Sequence, residues 1–260
     1  MPASSKKFTI LETIDSTNNY AMGMVQNGAG NSGDAVFALA QTHGKGRRNK
    51  VWKSGERQSI LLSIITEMQW LPVLCQFRLS VAVALACYDF ASGYIKENVK
   101  IKWPNDIFIN DRKAGGILIE NVIKGNLWQW SVIGIGLNVN QPNFEMEDLR
   151  AISLKQLSGE EYDVVELGKI LHENVLARID QLKNGEYDKM LDSYNANLFA
   201  RNKKVKLKKE NIVFETVIQN ISPSGELITK DAIERSFGFD EVEWQGLTPH
   251  PNPSPRGERD

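Results

Sequence analysis

The sequence predicts an α+β protein: a mixed, mostly antiparallel sheet with helices, followed by a small β-domain. Three observations carry that reading. Residues 100–139 hold three strand-like runs, separated by Asn110-Asp111 and Gly125-Asn126, pairs that suit tight turns. Two longer stretches have helical character. Residues 76–99 are rich in Ala and Leu with no internal proline, and Val164, Leu167, Leu171, Val175, Ile179 and Leu182 recur at helical spacing. After Ala200 the texture changes to short alternating runs broken by Ser224-Gly225.

The remaining elements follow in order. Phe8–Ile14 is apolar enough for a strand, and Asp15-Ser16-Thr17-Asn18 supplies helix N-cap residues before a short helix around residues 20–25. Ala35–Gln41 reads as a buried strand that runs into a glycine-and-cation loop over 42–53. Residues 59–66 cluster β-branched side chains like another strand, and 186–199 give a further helix. The runs 205–208, 212–221 and 227–232 predict a small β-barrel of about 45 residues. The expected units are a main domain over 1–199, a small one over 200–247, and a disordered tail over 248–260, rich in proline and charge.

Bulk composition narrows the function. With 42% hydrophobic and 24% charged residues the chain can bury a core, and a net charge of −1 excludes nucleic-acid affinity based on global charge. The two cysteines, Cys75 and Cys87, have no metal-knuckle spacing and are expected inside a helix as small hydrophobes. So few cysteines point to a reducing compartment. No signal peptide is visible and no stretch of about 18 apolar residues is expected to span a membrane, so a cytoplasmic location is the expectation. Only a handful of residues precede the first strand, so no helix-turn-helix segment is expected in front of it.

Four segments carry chemistry. Gly44-Lys45-Gly46-Arg47-Arg48-Asn49-Lys50, closed by Trp52, places four cations within six residues, beside two glycines that let a ligand approach the backbone. A solvated basic turn is the commoner fate of such runs, but the glycines and Trp52 favour a ligand here. The loop lacks the Walker spacing but suits nucleotide phosphates or a mixed anhydride of a carboxylate and AMP. In Lys102-Trp103-Pro104-Asn105-Asp106 the proline restricts the backbone and fixes Asn105 and Asp106 at a strand start. Lys113, followed by Gly115-Gly116 and Glu120, can reach back across a hairpin to bridge a carboxylate and a phosphate; alone, this segment equally fits a hairpin with a surface lysine. Ser16-Thr17-Asn18 with Gln41 suits a neutral polar ring bearing a carbonyl and N–H groups, although a lone S-T-N is more often a simple cap. Gly134-Ile135-Gly136-Leu137-Asn138-Val139 reads more readily as a close-packed strand end than as a ligand contact.

Taken together, in this order, these segments resemble the biotin–protein ligase family over about residues 8–140. The resemblance implies a class II synthetase-like domain with a C-terminal SH3-like barrel, in a monofunctional form without an N-terminal DNA-binding domain. It implies formation of biotinyl-AMP from biotin and ATP with Mg²⁺, then transfer to a lysine of a biotin carboxyl carrier protein or domain. By the same resemblance Ser16, Thr17 and Gln41 bond the ureido ring, Asn18 closes that pocket, and Lys45, Gly46 and Arg47 fold over biotin and the adenylate, with Gly115 beside them. Arg48, Lys50 and Trp52 serve the ATP side. Lys113 holds carboxylate and bridging phosphate, which makes it and Arg47 the catalytic pair. Asn105, Asp106 and Asn138 bind the nucleotide, with Asp106 the candidate Mg²⁺ ligand. Lys45 and Lys50 stand where the family usually has arginine, and Asn49, which tolerates a left-handed backbone, where glycine is usual. The alternatives are a lipoate–protein ligase, a DNA-binding biotin repressor, and a nucleotide-binding regulator without catalysis. Neither nucleic acid nor membrane is expected as a partner, and the protein is expected as a monomer or weak homodimer.

Overall fold

The computed structural model describes residues 6–96, 98–145 and 150–246. The first strands and helices are β1 (Phe8–Ile14), α1 (Thr17–Gln26), β2 (Ala35–Gln41), β3 (Ser59–Glu67) and α2 (Gln76–Tyr94). Then come β4 (Val99–Lys102), β5 (Asp106–Ile109), β6 (Arg112–Lys124) and β7 (Leu127–Asn138). Three helices follow, α3 (Leu154–Ser158), α4 (Val164–Lys183) and α5 (Tyr187–Ala196). The chain closes with β8 (Lys204–Lys209), β9 (Ile212–Ile221), β10 (Leu227–Lys230), β11 (Glu234–Phe237) and β12 (Glu243–Gln245).

The main sheet has the order β1-β2-β3-β7-β6-β5-β4. Only β1 and β2 run parallel, so the sheet is mixed and mostly antiparallel, as expected. Alternation along the strands sorts its two faces. Phe37 and Ile64 join the large core under α2 and α4, while Val36 and Ile65 pack with Ala21 of α1 on the other side. The α1 face is the one that carries the site.

Three expectations need correction. The long helix stops at Tyr94 rather than 99, because Val99 pairs with Ile109 and opens β4. Residues 100–139 hold four strands rather than three, since Pro104, after a cis Trp103–Pro104 bond, breaks the first run into a hairpin. The stretch Val73–Tyr94 is also long and apolar enough to cross a membrane by length and composition. Here its apolar residues, including the fully buried Cys87, pack into the core, whereas Cys75 is only half-buried just before α2. The turn residues behave as read: Asn110 and Asp111 take φ of 48° and 62°, and Gly125 takes 59°.

The small β-unit is a five-stranded antiparallel sheet, order β11-β10-β9-β8-β12. The reading found its first three strands but not β11 and β12, which are only four and three residues long. The expected tail over 248–260 lies outside the described residues. The two units pack closely. Trp103 Nε1 donates to Gly225 O at 2.9 Å, and Asn195 bonds Ile221 through both its amide oxygen and its nitrogen.

Candidate active site

A cavity of about 630 Å³ lies on the α1 face, within the size range of small-molecule sites. One end is neutral. Ser16 occupies the N-cap position of α1 in extended conformation, yet its hydroxyl makes no cap bond. Thr17 and Asn18 are buried in the first turn and point into a hydrogen-bond layer. Gln41 Oε1, at the end of β2, accepts from Thr17 N at 2.7 Å and from Thr17 Oγ1 at 3.1 Å. Ser63 Oγ on β3 lies 2.8 Å from Thr17 Oγ1 and 2.6 Å from Asn18 Oδ1, with one proton to share between them. Asn18 Nδ2 donates to Glu120 Oε2 at 2.7 Å. The S-T-N segment is therefore more than a cap.

The glycines of β7 make room for this layer. A Cβ on Gly134 would lie 2.2 Å from Asn18 Oδ1, and one on Gly136 would lie 2.6 Å from the Trp52 ring. The reading of this strand as close-packed holds at both positions. Asn138 is likewise committed to the protein: its amide nitrogen donates to Ile152 O at 3.2 Å, and its oxygen accepts from Gln141 at 3.2 Å.

The other end is cationic. Asp106 opens β5 and bonds Lys113 Nζ at 2.7 Å. A β-bulge sets this up. Asp106 pairs with Gly116 and Ile107 with Gly115, but Phe108 pairs with Lys113, so Ala114 is the extra residue. In strict alternation Lys113 would share the face of Gly115 and turn to the core. The bulge reverses the parity and delivers Lys113 to the cavity beside Gly116. Gly115 faces the other way, with Gly136 O 3.0 Å from where its Cβ would be, and does not line the cavity; every other residue anticipated for the site does. Asn105 lines it while its amide donates to Ile117 O at 2.9 Å.

The loop over the cavity is pinned at both ends. Trp52 N donates to Gly44 O at 2.8 Å, and Gly46 N to Lys50 O at 2.7 Å. The left-handed position falls at Arg48, φ 53°, rather than at Asn49. Arg47 and Arg48 both bond Asp240 Oδ1, at 3.0 and 2.8 Å, and Arg48 also meets Glu243 at 3.1 Å. Arg47 further covers the ring of Phe239, which stacks on Trp103 at 5.6 Å. Lys45 pairs with Glu120 at 3.4 Å. Although the whole chain is nearly neutral, eight lysines and arginines line the cavity against three carboxylates, which marks it for an anion.

Sequence reasoning missed Ser63, whose signal was a hydroxyl inside the apolar run of β3, and Asp240 and Trp244, which carried no local signal. Among the described residues no group of three or more His, Cys, Asp or Glu could hold a metal unaided. A single carboxylate, Asp106, still fits the way Mg²⁺ binds through one carboxylate plus substrate phosphates.

Comparison with known proteins identifies the family. Residues 10–138 match the Biotin/lipoate A/B protein ligase family. The biotin--[acetyl-CoA-carboxylase] ligase of Mycobacterium tuberculosis is 31% identical over 182 residues, covering 69% of this chain and 66% of that protein. The bifunctional ligase/repressor BirA of Bacillus spizizenii is 36% identical over 156 residues, 58% of this chain and 47% of that one, so the match spans about half the length of such relatives. The fold matches a biotin protein ligase from Aquifex aeolicus in complex with biotin and ATP, with TM-score 0.78, 20% identity, and coverage of 92% and 99%. With the shared fold, the matching segments and the polar layer beside a cationic loop, the chain belongs to the biotin/lipoate A/B protein ligase family.

Proposed function

We propose that this protein is an ATP-dependent biotin–protein ligase. The observation that carries the reading is the pairing of a neutral hydrogen-bonding end with a cationic end in one cavity. The Ser16 hydroxyl and the Gln41 amide N–H groups have no partner among the described residues and suit a ureido carbonyl. Gln41 Oε1 and the Thr17 hydroxyl can accept from ureido N–H groups.

In the first step a carboxylate oxygen of biotin attacks the α-phosphorus of ATP, and the bond to the β-phosphate oxygen breaks with its electron pair. Biotinyl-AMP and pyrophosphate result. Lys113, exchanging its bond to Asp106 for the substrate, spreads the charge that builds between carboxylate and phosphate. Arg47 and Arg48 close from the loop side. Mg²⁺, when bound through Asp106, supplies charge neutralisation on the phosphates. In the second step the ε-amine of an acceptor lysine attacks the acyl carbonyl. An amide forms, AMP leaves, and the amine gives up its proton. The acceptor is a biotin carboxyl carrier domain, and the few free thiols accord with a reducing, cytoplasmic setting.

Mass spectrometry of a carrier domain incubated with the protein, ATP, Mg²⁺ and either biotin or lipoate tests the reading. A mass increase matching biotin, and none with lipoate, is expected. Lipoyl transfer alone would replace the reading with that of a lipoate ligase.

A further inference from the structure

Among the described residues three cations of the cavity, Lys50, Lys102 and Arg150, have no acid partner, and Lys102 is the one packed against aromatic rings. Lys102 ends β4 in register opposite Asp106, but the Asp106 carboxylate is taken by Lys113. The Lys102 ammonium instead sits 4.8 Å from the centre of the Phe108 ring and 5.1 Å from that of Trp244, the latter contributed by the small sheet. No hydrogen bond or ion pair engages it, nor its neighbour in the lining Arg150, among the described residues. Aromatic faces stabilise an ammonium only in part. Loss of water, together with the fields of Lys113, Arg150 and Lys50, pulls Lys102 down to about 8 in spite of Asp106. A desolvated cation lining a cavity already rich in positive charge is a binding group whose anion comes from outside.

Its place in the sheet says which anion. Gln41 lies on β2, the bare glycines on β7, Lys113 on β6, Asp106 on β5 and Lys102 on β4, in that spatial order. Lys102 stands two strands beyond Lys113, whose ammonium already leans that way onto Asp106, so a phosphate chain held at Lys113 by its first phosphate extends toward Lys102. We propose that Lys102, with Arg150, holds the β- and γ-phosphates of the nucleotide and then the departing pyrophosphate. The inference rests on the adenylate-forming reading and deepens it. As the bond from the α-phosphorus to the bridging oxygen breaks, the electron pair moves onto the pyrophosphate, and Lys102 meets the charge that appears there. The small sheet, through Trp244, roofs this end of the site.

Calorimetry on the full chain with Mg²⁺ and inorganic pyrophosphate, ATP, AMP or biotin tests it. Lys102→Gln is expected to weaken pyrophosphate and ATP by ~10-fold or more while leaving AMP and biotin nearly unchanged, as for loss of one charge-assisted contact. Lys102→Arg, which keeps the charge, is expected to recover most of the loss and guards against a folding artefact. Unchanged pyrophosphate affinity, a parallel loss of AMP, or a wild-type protein that does not bind pyrophosphate overturns the assignment. The pyrophosphate arm needs no biotin, so the two readings can fail separately. Lys102-dependent pyrophosphate binding without adenylate formation keeps this site and sinks the ligase reading; adenylate formation with unaltered pyrophosphate binding in Lys102→Gln sinks only this one.

Discussion

At the α1 end of the cavity the side chains lean on one another: Thr17 on Gln41, Ser63 on Thr17 and Asn18, Asn18 on Glu120. At the β4 end the charges are held apart from water by aromatic rings, or lent to acids that a phosphate can replace. The first end is organised before any ligand arrives, and its geometry is fixed by short hydrogen bonds. The second stores uncompensated positive charge, and its energy falls only when an anion enters. On the proposed ligase reading, selectivity for the head group belongs to one end, and the driving force for the anhydride chemistry to the other.

The strongest test of that division is Lys113→Ala, expected to lower biotin-dependent pyrophosphate exchange by ~10²-fold or more while biotin affinity stays close to wild type. Exchange near the wild-type rate would return Lys113 to the role of an ordinary hairpin lysine. Next, Thr17→Val keeps shape but deletes a hydroxyl, leaving Gln41 and Ser63 short of a partner. A loss of about 1–3 kcal/mol in biotin binding is expected, with ATP binding unaffected. If ATP weakened as much as biotin, the two ends would not be independent.

Smaller effects sharpen the contrast. Asp240→Asn removes the shared anchor of Arg47 and Arg48, so trypsin is expected to cut the ligand-free loop several-fold faster, with no change in the α1 layer. Equal cleavage rates would mean that the loop needs no anchor. The smallest effect is on stability. Lys102 falls from 10.5 to about 8 on folding, chiefly through lost hydration, so the unfolded chain holds more protons in that window. Its contribution therefore becomes more favourable as pH rises from 8 to 10.5. In urea titrations the stability of wild type relative to Lys102→Gln is expected to climb across that range; a flat difference would mean that the ammonium is fully solvated.

Much of this was legible in the sequence, for physical reasons that differ by region. Strand and turn signals at Phe8–Ile14, Ala35–Gln41 and Asn110-Asp111 are local, since β-branched runs and turn residues act over a few positions. The cavity lining was legible because the glycine-and-cation loop, K-W-P-N-D and S-T-N occur together in one order, whereas a basic turn alone is usually only a solvated surface. Gly115 was grouped with Gly116 because a bulge cannot be read from spacing, and a shift of one residue moves a side chain to the opposite face. The helix end at Tyr94 was hidden because residues 95–99 contain no proline or glycine to stop the helix, and the pairing of Val99 with β5 is a long-range choice. Trp244 joins the site only through tertiary packing on Lys102, and Asp240 likewise, 193 and 192 residues from the Arg47 and Arg48 that it bonds.

That last contact ties two parts of the molecule into a single thermodynamic account. Arg47 and Arg48 can satisfy Asp240 or an incoming phosphate, and in full measure only one of them. If the loop takes a phosphate as proposed, binding there and the hold of Asp240 on the loop are linked: an anion that draws Arg47 and Arg48 away loosens that contact, and weakening the contact changes apparent affinity by the same factor.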